Sequence, residues 1–366
     1  MPRILVINNY PFEDVWEEVK RKEKPDHHLY GINYFHLRGY EVEIIPFVHN
    51  HFLHQIDKFF QKNGGVISFG CLDQQWQTIK KLNQADLIYA PCQTQTQLLS
   101  YLRALKIIQV PIVCLAHHPL NRGRLALIRD PWIKLSIQGY DAYPSLSSRV
   151  SSAINQLSGC QEKSVLTRWG PDSNYYLEKV ALGKGVVAAG RTGRDFDTFG
   201  LAASQTNSEA TIICLDNSVS QTFQRFSENV SIMTQPTDKY MKYPELIKFY
   251  QQARALAIPM VSGSSLAGLT SLMDSLAMGK PTIMTRHPLI DIDIEAEGIG
   301  IWVEPGDIEG WRSAIQFIED NPQQAAEMGK RARNLVDSGL NSYSFANQIM
   351  DIFDLLLEKQ KKDKKV

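Results

Sequence analysis

Two segments rich in glycine, hydroxyl and arginine residues have the composition of phosphate-binding loops. In the first, from Gly190 to Asp195, glycines alternate with Arg191 and Arg194. Glycine lets the backbone turn tightly beside a ligand, and arginine offers a fork of donors that fits phosphate oxygens. We expect a helix to begin near Arg194, and its N-terminus would also favour an anion. The alternative is a surface turn with two solvated arginines.

The second segment runs from Ser262 to Pro281 and predicts a helix that opens at Gly268. The free backbone N–H groups of Thr270 and Ser271 would then point at a bound anion. Asp274 lies one turn further along on the same side, where its carboxylate would accept hydrogen bonds from a ribose. The alternative is an ordinary capped helix that packs through its leucines.

Two histidine pairs are the next candidates, because titratable groups near a ligand site are candidates for catalysis and binding. His117 and His118 follow the predicted strand Ile112–Ala116, at the strand end where parallel sheets bind ligands. A hydrogen-bonded residue at the sheet edge is the alternative. His27 and His28 precede a predicted helix, which makes them candidates for contact with a substrate.

Metal binding is not expected. His49, His51 and His54 are spaced like ligands, but no cluster of carboxylates accompanies them. Two carboxylate pairs have a spacing that is frequent by chance: Asp195 with Asp197, and Asp291 with Asp293.

The overall composition is that of a folded protein without a nucleic-acid partner. The 366 residues are 43% hydrophobic and 21% charged, and 39 basic residues balance 39 acidic ones. A nucleic-acid binder needs a basic excess, so this balance argues against one. The five cysteines show no CxxC motif, there is no apolar run of membrane-spanning length, and the N-terminus begins directly with a strand. These features predict a cytoplasmic protein with free thiols.

Short apolar segments rich in β-branched residues alternate with helical stretches, which predicts parallel sheets covered on both faces. The predicted strands are Ile4–Asn8, Glu41–Pro46, Val66–Gly70, Leu87–Ala90, Ile112–Ala116, Ser164–Trp169, Val186–Gly190, Ala210–Asp216, Val230–Thr234, Ala255–Met260, Pro281–Thr285 and Gly300–Val303.

The series of strands restarts near residue 164, and two doubly wound α/β domains explain this better than one very large sheet. We predict a first domain at 1–160 and a second at 161–342. A terminal helix at 343–359 has apolar residues at helical spacing, and its stripe fits a return to the first domain. The lysine-rich tail that follows is interpreted as a solvated end, with contact to anionic lipid as the alternative.

Taken together, the two phosphate-binding segments resemble the retaining glycosyltransferases of family 4. Asp26–Val42 resembles the family's first helix with the turn into its second strand, and Trp169–Asp172 resembles the turn that enters its second domain. Ala277–Ile283 and Val303–Asp307 match its C-terminal pattern. The resemblance covers essentially the whole chain and is strongest from Ser262 to Asp307.

The resemblance implies the GT-B fold, in which two doubly wound, Rossmann-like domains face a cleft. It implies an acceptor-binding first domain and a donor-binding second domain. The expected reaction moves a sugar from a nucleotide-diphosphate sugar to an acceptor hydroxyl of a glycan, lipid or small molecule, with retention of anomeric configuration. Neither a metal nor a cofactor is implied, since the nucleotide sugar is a co-substrate.

Individual roles follow from the resemblance. Arg191 and Arg194 would stabilise the leaving diphosphate. His117 stands where the family has a histidine near the reacting sugar carbon, with His118 as the competing choice. The acceptor contacts would be His27, His28 and His118. The donor site would comprise Gly190, Thr270, Ser271, Asp274, Met233 and Thr234, the last two in a turn that touches the base.

The chain departs from the family at two places. The family's phosphate-binding Arg/Lys pair is replaced by Arg191 and Arg194 at a shorter spacing, and a pair of glutamates is also replaced. The family commonly has two glutamates eight positions apart, and here Leu266 and Asp274 stand in their places. Leu266 cannot hydrogen-bond a donor sugar, so a catalytically silent GT-B protein that binds a nucleotide or a partner is one alternative. An epimerase of the same fold that acts on a nucleotide sugar is another. A dehydrogenase is disfavoured, because Asn9-Tyr10-Pro11 rather than GxGxxG follows the first strand.

Overall fold

The computed structural model describes residues 1–47, 52–53, 55–56, 68–120, 126–176, 183–237, 241–261, 263 and 265–363. The chain divides into two compact units. The first unit comprises Met1–Arg21, Asp26–Trp169 and Ser342–Val366, and the second comprises Lys22–Pro25 and Gly170–Asn341.

The strands are β1 Arg3–Val6, β2 Glu41–Ile44, β3 Leu87–Ala90, β4 Ile112–Cys114, β5 Tyr143–Ser145, β6 Ser164–Leu166, β7 Val186–Ala189, β8 Ala210–Leu215, β9 Val230–Gln235, β10 Ala255–Ile258, β11 Thr282–Thr285 and β12 Gly300–Val303. The helices are α1 Phe12–Lys20, α2 Leu72–Lys81, α3 Gln97–Ala104, α4 Ala126–Gly139, α5 Ser148–Ser158, α6 Phe196–Ala203, α7 Tyr243–Gln252, α8 Leu269–Ala277, α9 Ile308–Asp320, α10 Pro322–Asp337 and α11 Ser342–Asp363. Parallel strands alternate with helices, so the α/β class is confirmed.

The first unit contains a parallel sheet in the order β2-β1-β3-β4, and β5 pairs in parallel with β6. Single parallel bridges from Val113 to Ala142 and from Ala116 to Ser145 extend the sheet from β4 to β5. Strand β6 therefore belongs to the first unit, and its assignment to the second series of strands was wrong. The unit ends at Trp169 instead of at residue 160.

Two local expectations for the first unit also change. Of the predicted strand Val66–Gly70, residues 66 and 67 lie outside the described residues, and Phe69 and Gly70 form no strand. The predicted first helix near residues 26–39 is instead two 3-10 turns, Asp26–Leu29 and Phe35–Arg38. Between them Tyr30 and Gly31 have φ angles of 48° and 87°, and this left-handed backbone ends helical winding.

The second unit contains a six-stranded parallel sheet in the order β12-β11-β10-β7-β8-β9. Strands β7, β10 and β11 are buried along their whole length, as the apolar runs predicted. Phe199 of α6 and Trp311 of α9 pack edge to face, with ring centroids 5.3 Å apart, in the core on one side of this sheet. The loops at the carboxyl ends of β7 and β10 carry the candidate site.

Helix α11 packs within the first unit, so its predicted return is confirmed. Phe345, Ile349 and Phe353 are fully buried along its apolar stripe. The Phe353 ring lies 5.1 Å from that of Phe35 and 5.4 Å from that of Tyr89.

All five cysteines are free thiols. Among the described helices, none combines the length and the apolar character that a membrane crossing requires.

Candidate functional site

The loops that follow β7 and β10 are joined to each other at the carboxyl edge of the second sheet. Arg194 and Met260 form an antiparallel bridge, and the N–H of Val261 donates to the carbonyl of Gly193 at 3.0 Å. On the other side of β10, the N–H of Met260 donates to Oγ1 of Thr285 at 2.9 Å. Met260 is therefore held from both sides, and its bridge to Arg194 holds the Arg194 backbone in turn.

The Arg194 side chain lies between these loops and helix α8. Its Nε donates to the carbonyl of Ala189 at 3.2 Å, and its Nη2 donates to Oγ of Ser271 at 3.1 Å. Its Nη1 reaches the carbonyl of Thr192 and the sulfur of Met260. Four of the five N–H groups are thus engaged, and one hydrogen on Nη2 remains. Burial lowers the pKa of the guanidinium, which still remains a cation because arginine is so strong a base.

Glycine at position 190 leaves room for this arginine. A Cβ on Gly190 would lie 2.7 Å from Cζ of Arg194, which is closer than real contacts allow. The absence of a side chain at this position therefore lets Arg194 lie across the loop. Arg191, by contrast, is exposed.

Helix α8 begins at Leu269, within the predicted segment, and no described side chain caps it. Its N-cap Gly268 has a φ angle of 80°, which favours glycine. The N–H of Leu272 bonds to the carbonyl of Gly268, so the first-turn N–H groups of Leu269, Thr270 and Ser271 precede the first helical hydrogen bond. An open helix N-terminus and the Arg194 cation thus meet at Ser271, and both favour an anion.

The N-terminus of helix α6 is capped by a side chain. It begins at Phe196, and Oδ1 of its N-cap Asp195 accepts a hydrogen bond from the N–H of Thr198 at 3.1 Å. The capping carboxylate already supplies the negative charge that this N-terminus favours. We therefore assign the phosphate to the loop and to α8, and the contribution of this helix stays a prediction.

Asp274 has internal partners instead of an open position beside a ribose. The residue is 2% exposed, and its Oδ1 accepts hydrogen bonds from the hydroxyl groups of Tyr176, at 2.6 Å, and Tyr243. Burial raises its pKa to about 6, while the two tyrosine hydroxyls act in the opposite direction. Since the carboxylate is enclosed, we correct its assignment to ribose binding.

Met233 and Thr234 are not in a turn. Both lie in β9, where they pair with Ile213 and Cys214 of β8. Met233 packs against the buried cluster that contains Ile213, and Thr234 is exposed. Leu266 is buried, at 9% exposure, so its position holds an apolar side chain.

In the first unit, His117 follows β4 as predicted and has a defined orientation. Its Nε2 lies 2.6 Å from the carbonyl oxygen of Pro91, and its ring meets that of Tyr30 edge to face, with centroids 5.3 Å apart. Burial lowers the pKa of the His117 imidazole, which favours the neutral ring. His118 is the adjacent residue, and its backbone is held by the side chain of Gln93.

His27 is unsuited to contact an acceptor, because its side chain has no exposed surface. Its ring packs edge to face with Trp169, and Trp169 Nε1 donates to the His27 carbonyl at 3.2 Å. Burial lowers the pKa of His27 well below the usual value for histidine. His28 is partly buried beside it, with ring centroids 4.5 Å apart.

Sequence reasoning missed Gln93, Tyr176 and Tyr243. Gln93 follows β3, so a systematic inspection of every strand end would have included it. The two tyrosines had no local signal, because they reach Asp274 from 98 and 31 residues away in the chain.

No group of three potential ligands among the described histidine, cysteine, aspartate and glutamate residues is arranged to hold a metal ion. His49, His51 and His54 lie outside the described residues.

One family model matches part of the second unit. Residues 233–335 match the family model for Glycosyl transferases group 1, and they include the stretch from Ser262 to Asp307 where the sequence resemblance is strongest. No curated protein sequence matches the chain significantly.

Solved structures match over nearly the whole chain. HepE of Anabaena, in complex with UDP, has a TM-score of 0.66 at 15% identity, over 96% of this chain and 99% of its own. A glycosyltransferase from Rickettsia africae has a TM-score of 0.67 at 14% identity, over 97% and 98%. Trehalose 6-phosphate synthase from Burkholderia multivorans has a TM-score of 0.67 at 12% identity, over the full length of both chains. These likenesses show the GT-B fold, and residues 233–335 of the chain are similar to the Glycosyl transferases group 1 family.

Proposed function

We propose that the chain transfers a hexosyl group from a UDP-sugar to an acceptor hydroxyl, with retention of anomeric configuration. The observation that carries this proposal is the meeting of the Arg194 guanidinium and the uncapped N-terminus of α8 at Ser271. The two features together favour a dianionic group such as a diphosphate.

The site would act by stabilising the departing diphosphate. Negative charge grows on the leaving group as the bond to the sugar breaks, and fixed donors aimed at that charge are usually the largest catalytic contribution. Arg194 is held by bonds to Ala189 and Ser271, so it would need little reorganisation during the reaction. Arg191 is exposed on the same loop and would add a second, more mobile cation. A metal is not part of this proposal, and chelator should leave turnover unchanged.

The choice of UDP rests on the structural neighbours. HepE of Anabaena was solved with UDP and with UDP-glucose, and sucrose-phosphate synthase and trehalose 6-phosphate synthase share the fold. Exposed Thr234 and its neighbour Gln235 end β9 at the carboxyl edge of the same sheet. We propose that this strand end contacts the base.

The first unit would bind the acceptor. His117 and His118 lie at the carboxyl end of β4, where parallel sheets bind ligands. His117 presents a neutral ring that can accept a hydrogen bond from a sugar hydroxyl, and we propose that it contacts the reacting sugar. His28 replaces buried His27 as the proposed contact in the 26–29 turn.

Binding is tested first by calorimetry with UDP, ADP, GDP and TDP. We expect UDP to bind and Arg194→Ala to weaken its affinity at least tenfold, since one charge-assisted contact contributes about 1.5–3 kcal/mol. The control is Lys184→Ala, which removes one positive charge at the opposite end of β7. Equal losses for both variants would reject the phosphate site.

Turnover is tested with UDP-glucose, with and without candidate acceptors. Release of UDP with a new glycoside of unchanged anomeric configuration, assigned by NMR, is the expected result. Conversion of UDP-glucose to another UDP-sugar without release of UDP would favour the epimerase. UDP binding with neither transfer nor slow donor hydrolysis would favour the silent binding protein.

A further inference from the structure

Gln93 connects the ends of two neighbouring strands in the first unit. It follows β3, and its side-chain Oε1 accepts hydrogen bonds from the backbone N–H groups of His117, at 2.6 Å, and His118, at 2.8 Å. Its Nε2 donates to the carbonyl of His118 at 2.9 Å. One amide side chain therefore pairs with three backbone groups beyond β4.

This contact begins where the backbone ladder ends. The last hydrogen bond of the ladder between β3 and β4 runs from the N–H of Leu115 to the carbonyl of Ala90, at 2.9 Å. Beyond this point the Gln93 amide, and not a strand partner, accepts the hydrogen bond of the His117 N–H. Because both polar atoms of the Gln93 side chain are hydrogen-bonded, this side chain has little freedom to move. The backbone of His117 and His118 is restrained with it.

The same segment fixes which nitrogen of His117 carries the proton. A carbonyl oxygen can only accept, so the 2.6 Å contact between Nε2 and the Pro91 carbonyl requires the hydrogen on Nε2. The neutral ring then has its lone pair on Nδ1. Pro91 and Gln93 belong to one short segment after β3, which holds both the ring and the backbone of His117.

The groups around the ring carry no negative charge at neutral pH. Tyr30 meets it edge to face, and His118 lies 6.1 Å away between ring centroids. Burial raises the pKa of the Tyr30 phenol and of the nearby Cys92 thiol, so both stay protonated. Burial and the Pro91 carbonyl govern the pKa of His117, and the net shift is downward, which favours the neutral ring.

We propose that Gln93 is a positioning residue that, together with the Pro91 carbonyl, presents Nδ1 of His117 as a hydrogen-bond acceptor for a hydroxyl of the substrate. A hydroxyl of the donor sugar and a hydroxyl of the acceptor share this chemistry. This role rests on the proposed transfer reaction, but the state of the His117 ring can be measured without it.

The first test is NMR of protein labelled with ¹⁵N-histidine, with the His117 signals assigned by their loss in His117→Gln. We expect a neutral ring protonated at Nε2 near pH 7. In Gln93→Leu the His117 signals should shift towards exchange between the two tautomers. The control is Gln109→Leu, which should leave the signals unchanged because Gln109 is exposed and donates to the Lys106 carbonyl. A ring protonated at Nδ1 in the unaltered protein would overturn the proposal, whatever the enzyme's activity.

The second test is the kinetics of UDP-glucose turnover. Gln93→Leu should lower kcat about tenfold or more. If Nδ1 of His117 contacts an acceptor hydroxyl, the KM for UDP-glucose should change little, and if Nδ1 contacts the donor sugar, this KM should also rise. Gln93→Glu can still accept from both N–H groups, but its charge should raise the pKa of His117. The acid limb of the pH–rate profile should then move to higher pH, which a purely structural role would not cause. An unmoved profile and an unchanged kcat would reject the role.

If Gln93→Leu does not fold, thermal melting will show it. The pH–rate profile of Gln93→Glu then tests the positioning role by itself. If no variant turns over UDP-glucose, the proposed function fails, and the NMR result still decides the orientation of His117.

Discussion

Gly190 and Arg194 form one structural element, because the guanidinium of Arg194 lies where a side chain at position 190 would be. A Cβ there would approach Cζ of Arg194 to 2.7 Å and Nη2 to 2.8 Å. The glycine therefore acts through the arginine, and the arginine carries the charge.

Gly190→Ala should displace Arg194 and weaken UDP binding about tenfold, as measured by calorimetry. The informative comparison is the double variant Gly190→Ala with Arg194→Ala. If the glycine acts through the arginine, the second change should cost almost nothing once the first is made. Additive losses would show that Gly190 serves the ligand directly.

Asp195→Ala should lower the free energy of unfolding of the second unit by about 1 kcal/mol, because the N-cap of α6 is lost. UDP affinity should change less than twofold, since this helix end does not face the diphosphate in our assignment. Asp195→Asn keeps a capping oxygen and should retain most of the stability. A large loss of UDP affinity in Asp195→Ala would restore this helix to the phosphate site.

Asp274 should make the stability of the second unit depend on pH. Its pKa is about 6 in the folded protein and 3.8 in the unfolded chain, so the folded state holds the proton more tightly. The stabilisation that this tighter proton binding gives to the folded state is fully present below pH 4. It is lost as pH rises through about 6, and the loss in the free energy of unfolding is about 3 kcal/mol at most.

The measurement is the difference in unfolding free energy between the unaltered protein and Asp274→Asn, from pH 4 to pH 7. The amide can still accept from Tyr176 and Tyr243, so the variant should gain relative stability as pH rises. Tyr176→Phe removes a hydrogen-bond donor that lowers the pKa of Asp274. The loss of stability with rising pH should then extend to higher pH in this variant. Parallel pH profiles for the unaltered protein and Asp274→Asn would refute the buried, titrating carboxylate.

The predictions that held were those encoded locally. Short apolar runs predicted β3 and β12 to the residue, and for β3 the reason is that a strand buried on both faces must be apolar throughout. The start of α8 followed from Gly268, since few other residues adopt the left-handed backbone that precedes this helix.

The predictions that failed depended on partners distant in the chain. Strand β6 has the pattern of a strand, but only its pairing with Tyr143–Ser145 assigns it to the first unit. His27 has no periodic signal of burial, and its enclosure comes from Trp169, 142 residues away.

Helix α11 joins the first unit through two kinds of contact. Arg38 bonds to Asp351 at 2.5 Å and to Asp354 at 3.1 Å, but these carboxylates are 62% and 51% exposed. Solvent screens such pairs, which typically contribute about 0–1 kcal/mol. Phe353 is fully buried among the rings of Phe35 and Tyr89, where removing a phenyl group costs about 3–5 kcal/mol.

Phe353→Ala should therefore lower the free energy of unfolding of the first unit by several times the loss caused by Arg38→Ala. The check is urea unfolding of each variant, with 0.5 M NaCl added in a second series. Salt should reduce the small effect of Arg38→Ala and leave that of Phe353→Ala unchanged, since only the ion pair is screened. If Arg38→Ala proves as costly as Phe353→Ala, the charged network and not the apolar stripe holds the helix in place.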